Sequence, residues 1–247
     1  LRLAGSTLIL GLVRRPWRGL TRKGPWAGVI AYGIVLGAMN TLFYAALKTL
    51  PLGIAVAIEF LGPLAVAMAA SRRPIDLLWV ALALGGLALL LPLGGAARGV
   101  DAAGVAYALG AGVCWALYIL FGRRAGEAHG ANATGLGVFV ATAIFLPPQI
   151  ALEGWRLFTP AALPIALLVA LLSSALPYSL EMYALTRLPT RTFGTLMSLE
   201  PAVGALAGLV LMHQTLAVLQ WAGILAVVAA SFGATLSGEP VSAPEGP

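Results

Sequence analysis

Blocks of apolar residues, separated by short clusters of Arg, Pro, Gly and Asp, dominate the chain. They run over Trp26–Leu47, Leu52–Ser71, Leu77–Leu93, Ala103–Phe121, Thr134–Leu152, Ala162–Leu185, Thr192–Met212 and Leu216–Leu236. None shows the strict two-residue alternation of a half-buried strand, and all exceed strand length, so the pattern predicts helices. About 20 helical residues cross the roughly 30 Å hydrocarbon layer of a bilayer, and the blocks are of that order. A ninth block, Leu3–Val13, is too short to cross. Backbone in lipid must satisfy its own hydrogen bonds, which leaves helix bundles or closed barrels, and the block length selects the bundle. No Gly-Ser linker or charged run interrupts the series. The expected fold is an all-α polytopic membrane protein.

The pattern also repeats. Pro51 and Pro63 recur as Pro189 and Pro201, and Gly85 recurs as Gly223, each 138 residues later with no gap. Fourteen of the 51 positions from Asn40 to Leu90 match their partners at that offset. Most matches are Leu or Ala and would arise by chance, so the prolines and the glycine carry the signal. The period holds five helices, an odd number, so the second copy enters the membrane from the opposite side. Such inverted repeats point to a transporter with its substrate path where the repeats meet. Carried backwards, the offset pairs Thr134–Leu152 with a segment of which Leu1–Val13 is the surviving end, and pairs Ala103–Phe121 with a segment upstream of residue 1. The chain does not begin with Met either. The expectation is a ten-helix protein, about nine helices here, with the first lost and the second truncated. The repeats are expected over 1–94 and 95–236, followed by a disordered tail over 237–247.

Composition agrees. The chain is 60% hydrophobic and 10% charged, with a mean hydropathy of +0.94, whereas soluble domains carry about 25% charged residues. The net charge of +6 raises nucleic acid as a partner, but its placement argues against one. Alternating the loops across a membrane gathers Arg14, Arg15, Arg18, Arg22, Lys23, Arg72, Arg73, Arg123, Arg124, Arg187 and Arg191 on one side. The other side receives Lys48, Arg98 and Arg156, a division of 11 against 3. That is the positive-inside pattern, and it places the arginine-rich loops and the C-terminus in the cytoplasm. The single cysteine, Cys114, excludes an intrachain disulfide, and no cleavable secretory signal is present.

Three carboxylates fall within apolar blocks: Glu59, Glu181 and Glu200. A charge at the bilayer centre is unfavourable by a few kcal/mol even on lenient scales, so such groups face a cavity or a partner. They are candidates for proton coupling or for binding a substrate ammonium. The competing explanation is a hydrogen-bonded, protonated acid bracing two helices. Glu59 and Glu200 lie near the repeated Pro63 and Pro201, where a proline frees the carbonyl four residues earlier and kinks the helix. Glu181 follows Pro177 by one turn. Arg2 is the basic residue within a block, a candidate partner for a carboxylate or simply an interfacial residue. Asn40, Tyr44, Trp115, Tyr118, Tyr178, Thr195 and Ser198 are candidate cavity-lining groups, each of which serves equally well as helix–helix glue. His129 and His213 have no metal-ligand spacing, so no metal is expected. Phosphate-binding, serine-hydrolase and zinc-protease signatures are missing, which argues against an ATP-driven pump within the chain, a cofactor or an enzyme.

Several stretches resemble a known family. They are Pro51-Leu-Gly-Ile-Ala-Val-Ala-Ile-Glu59-Phe-Leu-Gly-Pro63-Leu-Ala-Val-Ala with Ser71-Arg-Arg-Pro74, and Leu109-Gly-Ala-Gly-Val-Cys-Trp115-Ala-Leu-Tyr118-Ile-Leu. To these are added Ala175-Leu-Pro-Tyr-Ser-Leu-Glu181-Met and the run from Ala184 to Ala202 through Ser198-Leu-Glu200-Pro201. Together they resemble the threonine/homoserine exporters of the EamA-type drug/metabolite transporter superfamily, over nearly the whole chain. The resemblance implies ten helices in two inverted five-helix repeats. It also implies a bacterial inner-membrane exporter of threonine, homoserine and related amino acids, using alternating access and the proton gradient as an antiporter. The implied partners are a small amino acid, protons and the lipid bilayer, with a homodimer left open and no nucleic acid. Glu59, Glu181, Glu200, Trp115 and Tyr118 are the matching positions. The tail departs from the family in carrying Glu239 and Glu245 and no Lys or Arg. A carrier of another cargo and a non-transporting membrane scaffold are the alternatives.

Overall fold

The computed structural model describes residues 2–14, 26–69, 74–90, 101–130, 132–154, 159, 163–187 and 196–237. The tail from 238 onward and most of the arginine-rich loop positions lie outside the described residues. No strand occurs among those described. The helices are α1 (Arg2–Arg14), α2 (Trp26–Ala46), α3 (Leu52–Glu59), α4 (Leu61–Ala69), α5 (Ile75–Leu90), α6 (Ala102–His129) and α7 (Asn132–Glu153). There follow α8 (Leu163–Ala170), a π-helical turn (Leu171–Ala175), α9 (Leu176–Arg187), α10 (Glu200–Met212) and α11 (Val218–Ser237). Each predicted block meets a helix. Among the described residues five segments are long and apolar enough to cross a membrane: Trp26–Ala46, Ala102–His129, Asn132–Leu152, Leu163–Glu181 and Val218–Leu236. Large apolar side chains such as Leu12, Leu77, Val113, Ile165, Leu211 and Val218 point outward, as a lipid-facing surface requires. The protein is polytopic and all-α.

The helices form two compact units. Unit 1 takes Leu1–Ala38 and Leu117–Arg187; unit 2 takes Met39–Ala116 and Leu188–Pro247. Helices α2 and α6 therefore contribute to both. In unit 1, α1 packs on α7, on α8 and on the π turn. The Thr7 and Thr142 hydroxyls meet at 2.8 Å, and the buried Ser6 hydroxyl lies 3.0 Å from the Ala170 carbonyl. In unit 2, α5 packs on α11 and α3 packs on α10. Ile54, Ile58, Leu90 and Ile224 centre its core, and a second cluster joins Leu64, Ala83, Ala230 and Ala234 beneath Trp79.

Two departures from the expected blocks have local causes. The block 52–71 is broken at Phe60 into α3 and α4. Pro63 has no N–H, so the Glu59 carbonyl loses its helical donor, and Pro63 is tolerated because it falls in the first turn of α4. The block 103–121 continues as helix to His129. Arg123 and Glu127 pair at 3.3 Å one turn apart, which favours helix. Gly130, at φ 59°, then ends it with the left-handed residue that commonly follows a helix.

Candidate functional site

The three acids fall in different surroundings. Glu181 belongs to unit 1. Pro177, in the first turn of α9, lacks the N–H that would bond the Ser173 carbonyl four residues back. The helix widens there into its π turn, a feature frequent at functional sites. Arg2 of α1 supplies the missing donor, its guanidinium reaching the Ser173 carbonyl at 3.2 Å. One turn beyond Pro177, the Tyr118 hydroxyl of α6 donates to the Glu181 carboxylate at 3.2 Å. No cation pairs with Glu181 among the described residues. Tyr178 sits beside this pair, its ring centroid 6.3 Å from that of Tyr118. On the far side of Tyr118 lies Tyr32 of α2, centroids 5.0 Å apart and planes inclined by 32°. The result is a carboxylate bonded by Tyr118, with Tyr178 and Tyr32 on either side of that ring.

Glu59 belongs to unit 2 and is 6% exposed. It closes α3, and the carbonyl freed by Pro63 lies against Gly112 of α6. A Cβ on Gly112 would come within 2.7 Å of that carbonyl oxygen, and one on Gly62 would collide with the Gly112 carbonyl. Two helix backbones thus meet glycine to glycine. Beside the crossing, Phe60 and Trp115 pack edge to face, centroids 5.7 Å apart at 82°. Glu200 opens α10, with Pro201 next to it. A carboxylate is favoured at a helix N-terminus by the aligned peptide dipoles, and proline is favoured at the first helical position. Ser198 is buried in the turn before it.

The structure therefore gathers Glu181, Tyr118 and Tyr178 in unit 1, with Arg2 of α1 bonded to the Ser173 carbonyl eight residues before Glu181. It gathers Glu59 and Trp115 in unit 2. Glu200, Ser198 and Pro201 share the start of α10. Asn40 is buried on α2, whereas Tyr44 is 46% exposed on the same helix with its ring edge-on to Phe43. Thr195 lies outside the described residues. Tyr32 was not among the sequence candidates although it meets their criterion, a tyrosine within an apolar block. Its signal is spatial, in two glycines from other helices, Gly122 and Gly137, that flank its ring. Two apolar grooves run along unit 1, one of about 420 Å³ between α1 and α7 and one between α1 and α8; neither is lined by an acid. No group of His, Cys, Asp and Glu suited to a metal occurs among the described residues.

A carboxylate within a bundle of apolar helices marks a candidate functional site, and comparison with known proteins gives the class. Residues 102–236 match the EamA-like transporter family. The chain belongs to that family and is a transporter, not an enzyme. It is 53% identical over 237 residues to the threonine/homoserine exporter RhtA of Escherichia coli (strain K12), covering 96% of this chain and 80% of the relative. The threonine/homoserine exporter RhtA of Salmonella typhimurium (strain LT2) matches to the same extent, 53% over the same shares. The uncharacterized transporter YwfM of Bacillus subtilis (strain 168) is 29% identical over 91% of this chain and 78% of its own length.

Proposed function

We propose that this chain exports threonine, homoserine and related small amino acids across a bacterial inner membrane by alternating access, exchanging protons for substrate. The similarity to the two threonine/homoserine exporters supports the cargo. The arginine-rich loops support an orientation with the C-terminus in the cytoplasm. Helix pairs related by the 138-residue offset pack on each other: α1 with α7, and α5 with α11. Such pairing supports inverted repeats about an axis in the membrane plane.

The observation that carries the coupling mechanism is Glu181, a carboxylate among apolar helices whose one hydrogen bond among the described residues comes from Tyr118. It has no cation of its own among the described residues, so a proton or a substrate ammonium is what neutralises it. Competition between the two links proton entry to amino-acid release. The test is uptake of labelled threonine into inside-out membrane vesicles carrying the full-length protein, with a panel of other amino acids and cationic drugs as competitors. Glu181→Gln is expected to abolish the dependence of uptake on the pH gradient. Gradient dependence equal to wild type in that variant removes Glu181 from the mechanism, and competition by drugs but not by amino acids replaces the cargo.

A further inference from the structure

Tyr32 has no task in the export reading, yet with Tyr118 it is one of the two largest fully buried side chains among the described residues, at 0% exposure. Its ring occupies a slot made by two glycines. A Cβ on Gly122 would come within 3.0 Å of a ring carbon, and one on Gly137 would collide with the ring. The ring lies against that of Tyr118. The Tyr32 hydroxyl is buried and makes no hydrogen bond among the described residues, although it is near enough to the Tyr118 hydroxyl to interact with it. A phenylalanine of the same shape would avoid an unbonded buried hydroxyl, which is unfavourable. The hydroxyl is thus explained if another state of the protein uses it.

Tyr118 provides that state. In the structure its O–H donates to Glu181 at 3.2 Å, a direction suited to an ionised carboxylate, which can only accept. A protonated carboxyl has an O–H that needs an acceptor, and the polar group bonded to Glu181 is the Tyr118 hydroxyl. We propose that Tyr32 is a positioning residue for proton uptake at Glu181: its ring holds Tyr118 on the carboxylate, and its hydroxyl accepts the Tyr118 O–H when Glu181 is protonated. In that state Glu181 donates to the Tyr118 oxygen and Tyr118 donates to the Tyr32 oxygen. Glu181 gains one O–H bond as a hydronium ion gives up a proton and leaves as water, no bond within the tyrosines breaks, and the Tyr118 hydroxyl turns. The groups facing Glu181 are Tyr118 from α6 and Tyr32 from α2, with Tyr178 on its own helix. Arg2 of α1 is bonded to the Ser173 carbonyl.

The proposal rests on the reading of Glu181 as the coupling carboxylate, and the experiment separates the two. Initial rates of labelled threonine uptake into inside-out vesicles are measured against pH for the wild type and for Tyr32→Phe, Tyr118→Phe, the double variant and Glu181→Gln. The Tyr32 bond exists only when Glu181 is protonated, so removing it makes protonation harder. Tyr32→Phe is expected to move the pH midpoint down by roughly half to one unit, with the optimal rate within about twofold of wild type. In the Tyr118→Phe background, Tyr32→Phe is expected to add no shift, because the chain is already cut. Tyr32→Phe removes one oxygen that makes no hydrogen bond, so its unfolding temperature is expected to equal or exceed that of the wild type. A Tyr32→Phe midpoint within about 0.2 unit of wild type, or a shift that persists without the Tyr118 hydroxyl, overturns the proposal. If Glu181→Gln keeps its gradient dependence, the underlying reading fails instead.

Discussion

Both units contain an acid in an apolar helical segment where a proline has freed a carbonyl, and they treat that carbonyl in opposite ways. In unit 1, Pro177 frees the Ser173 carbonyl, the helix opens into a π turn, and the Arg2 guanidinium donates to the exposed oxygen at 3.2 Å. The acid that follows, Glu181, meets the Tyr118 hydroxyl. In unit 2, Pro63 frees the Glu59 carbonyl, the helix breaks at Phe60, and the oxygen is covered by Gly112, so closely that any side chain there would strike it. One site is made of side chains that can turn, the other of backbone that cannot. A proline near a carboxylate marks a place where helix geometry is relaxed; its neighbours decide whether the place serves chemistry or architecture.

The largest effect is expected where backbone meets backbone. Gly62→Val would drive a branched side chain into the Gly112 carbonyl, and neither helix can yield without unpacking Phe60 from Trp115. Overpacking of this kind is destabilising by about 1–3 kcal/mol or more, enough to abolish accumulation of a marginally stable protein. Detergent-solubilised thermal unfolding measures it. A variant as stable as wild type would show that the crossing is loose and would end the contrast between the units.

The next effect separates the acids by function. Removing a charge that would pair with a substrate ammonium is worth several kcal/mol in a dry site, so Glu181→Gln is expected to lower threonine uptake by roughly a hundredfold. Glu59→Gln is expected to act mainly on stability and to leave the pH dependence of the remaining uptake unchanged. Equal pH responses in the two variants would assign coupling to both units. Tyr118→Phe, which loses a hydrogen bond to a charged group, is expected to raise the threonine KM about tenfold with the maximal rate less affected. A smaller effect is expected at the start of α3. Pro51 offers that helix no side-chain cap, and the Gln214 side chain accepts the Leu52 N–H at 2.9 Å instead. Gln214→Ala is expected to lose about 1 kcal/mol of stability, as loss of a cap does, without altering KM.

The apolar blocks were legible because lipid imposes a length and forbids unsatisfied backbone; every block has a helix. The acids were legible for the same reason, since a charge in such a block is unfavourable unless it is used. What the residues alone did not disclose is which oxygen each proline would free into which neighbour. Pro63 and Pro177 are alike as letters, but Gly112 and Arg2 lie on other helices, 49 and 175 residues away. The same holds for Tyr32, whose meaning depends on Gly122 and Gly137, and for the end of α6, where a charged pair prolongs the helix past its apolar run.

The repeat supplies the finest test. Gly85 is the glycine that recurs as Gly223, yet it is the adjacent Gly86 that packs on Gly223. Cβ atoms at Gly86 and Gly223 would each lie 2.8 Å from the other's carbonyl oxygen, whereas one at Gly85 would meet nothing within 4 Å. A glycine retained for close packing should not tolerate a methyl group, and one in open space should welcome it. Gly86→Ala is therefore expected to destabilise the α5–α11 pair, because the obstructing atom is backbone. Gly85→Ala is expected to stabilise α5 by about 0.5–1 kcal/mol, the usual gain of alanine over glycine in a helix interior. Thermal unfolding of both variants decides the matter. If Gly85→Ala destabilises instead, the recurring glycine is held by a contact outside the described residues or by one formed in another state of the transport cycle. The repeat would then record a moving helix interface, not only shared ancestry of the two segments.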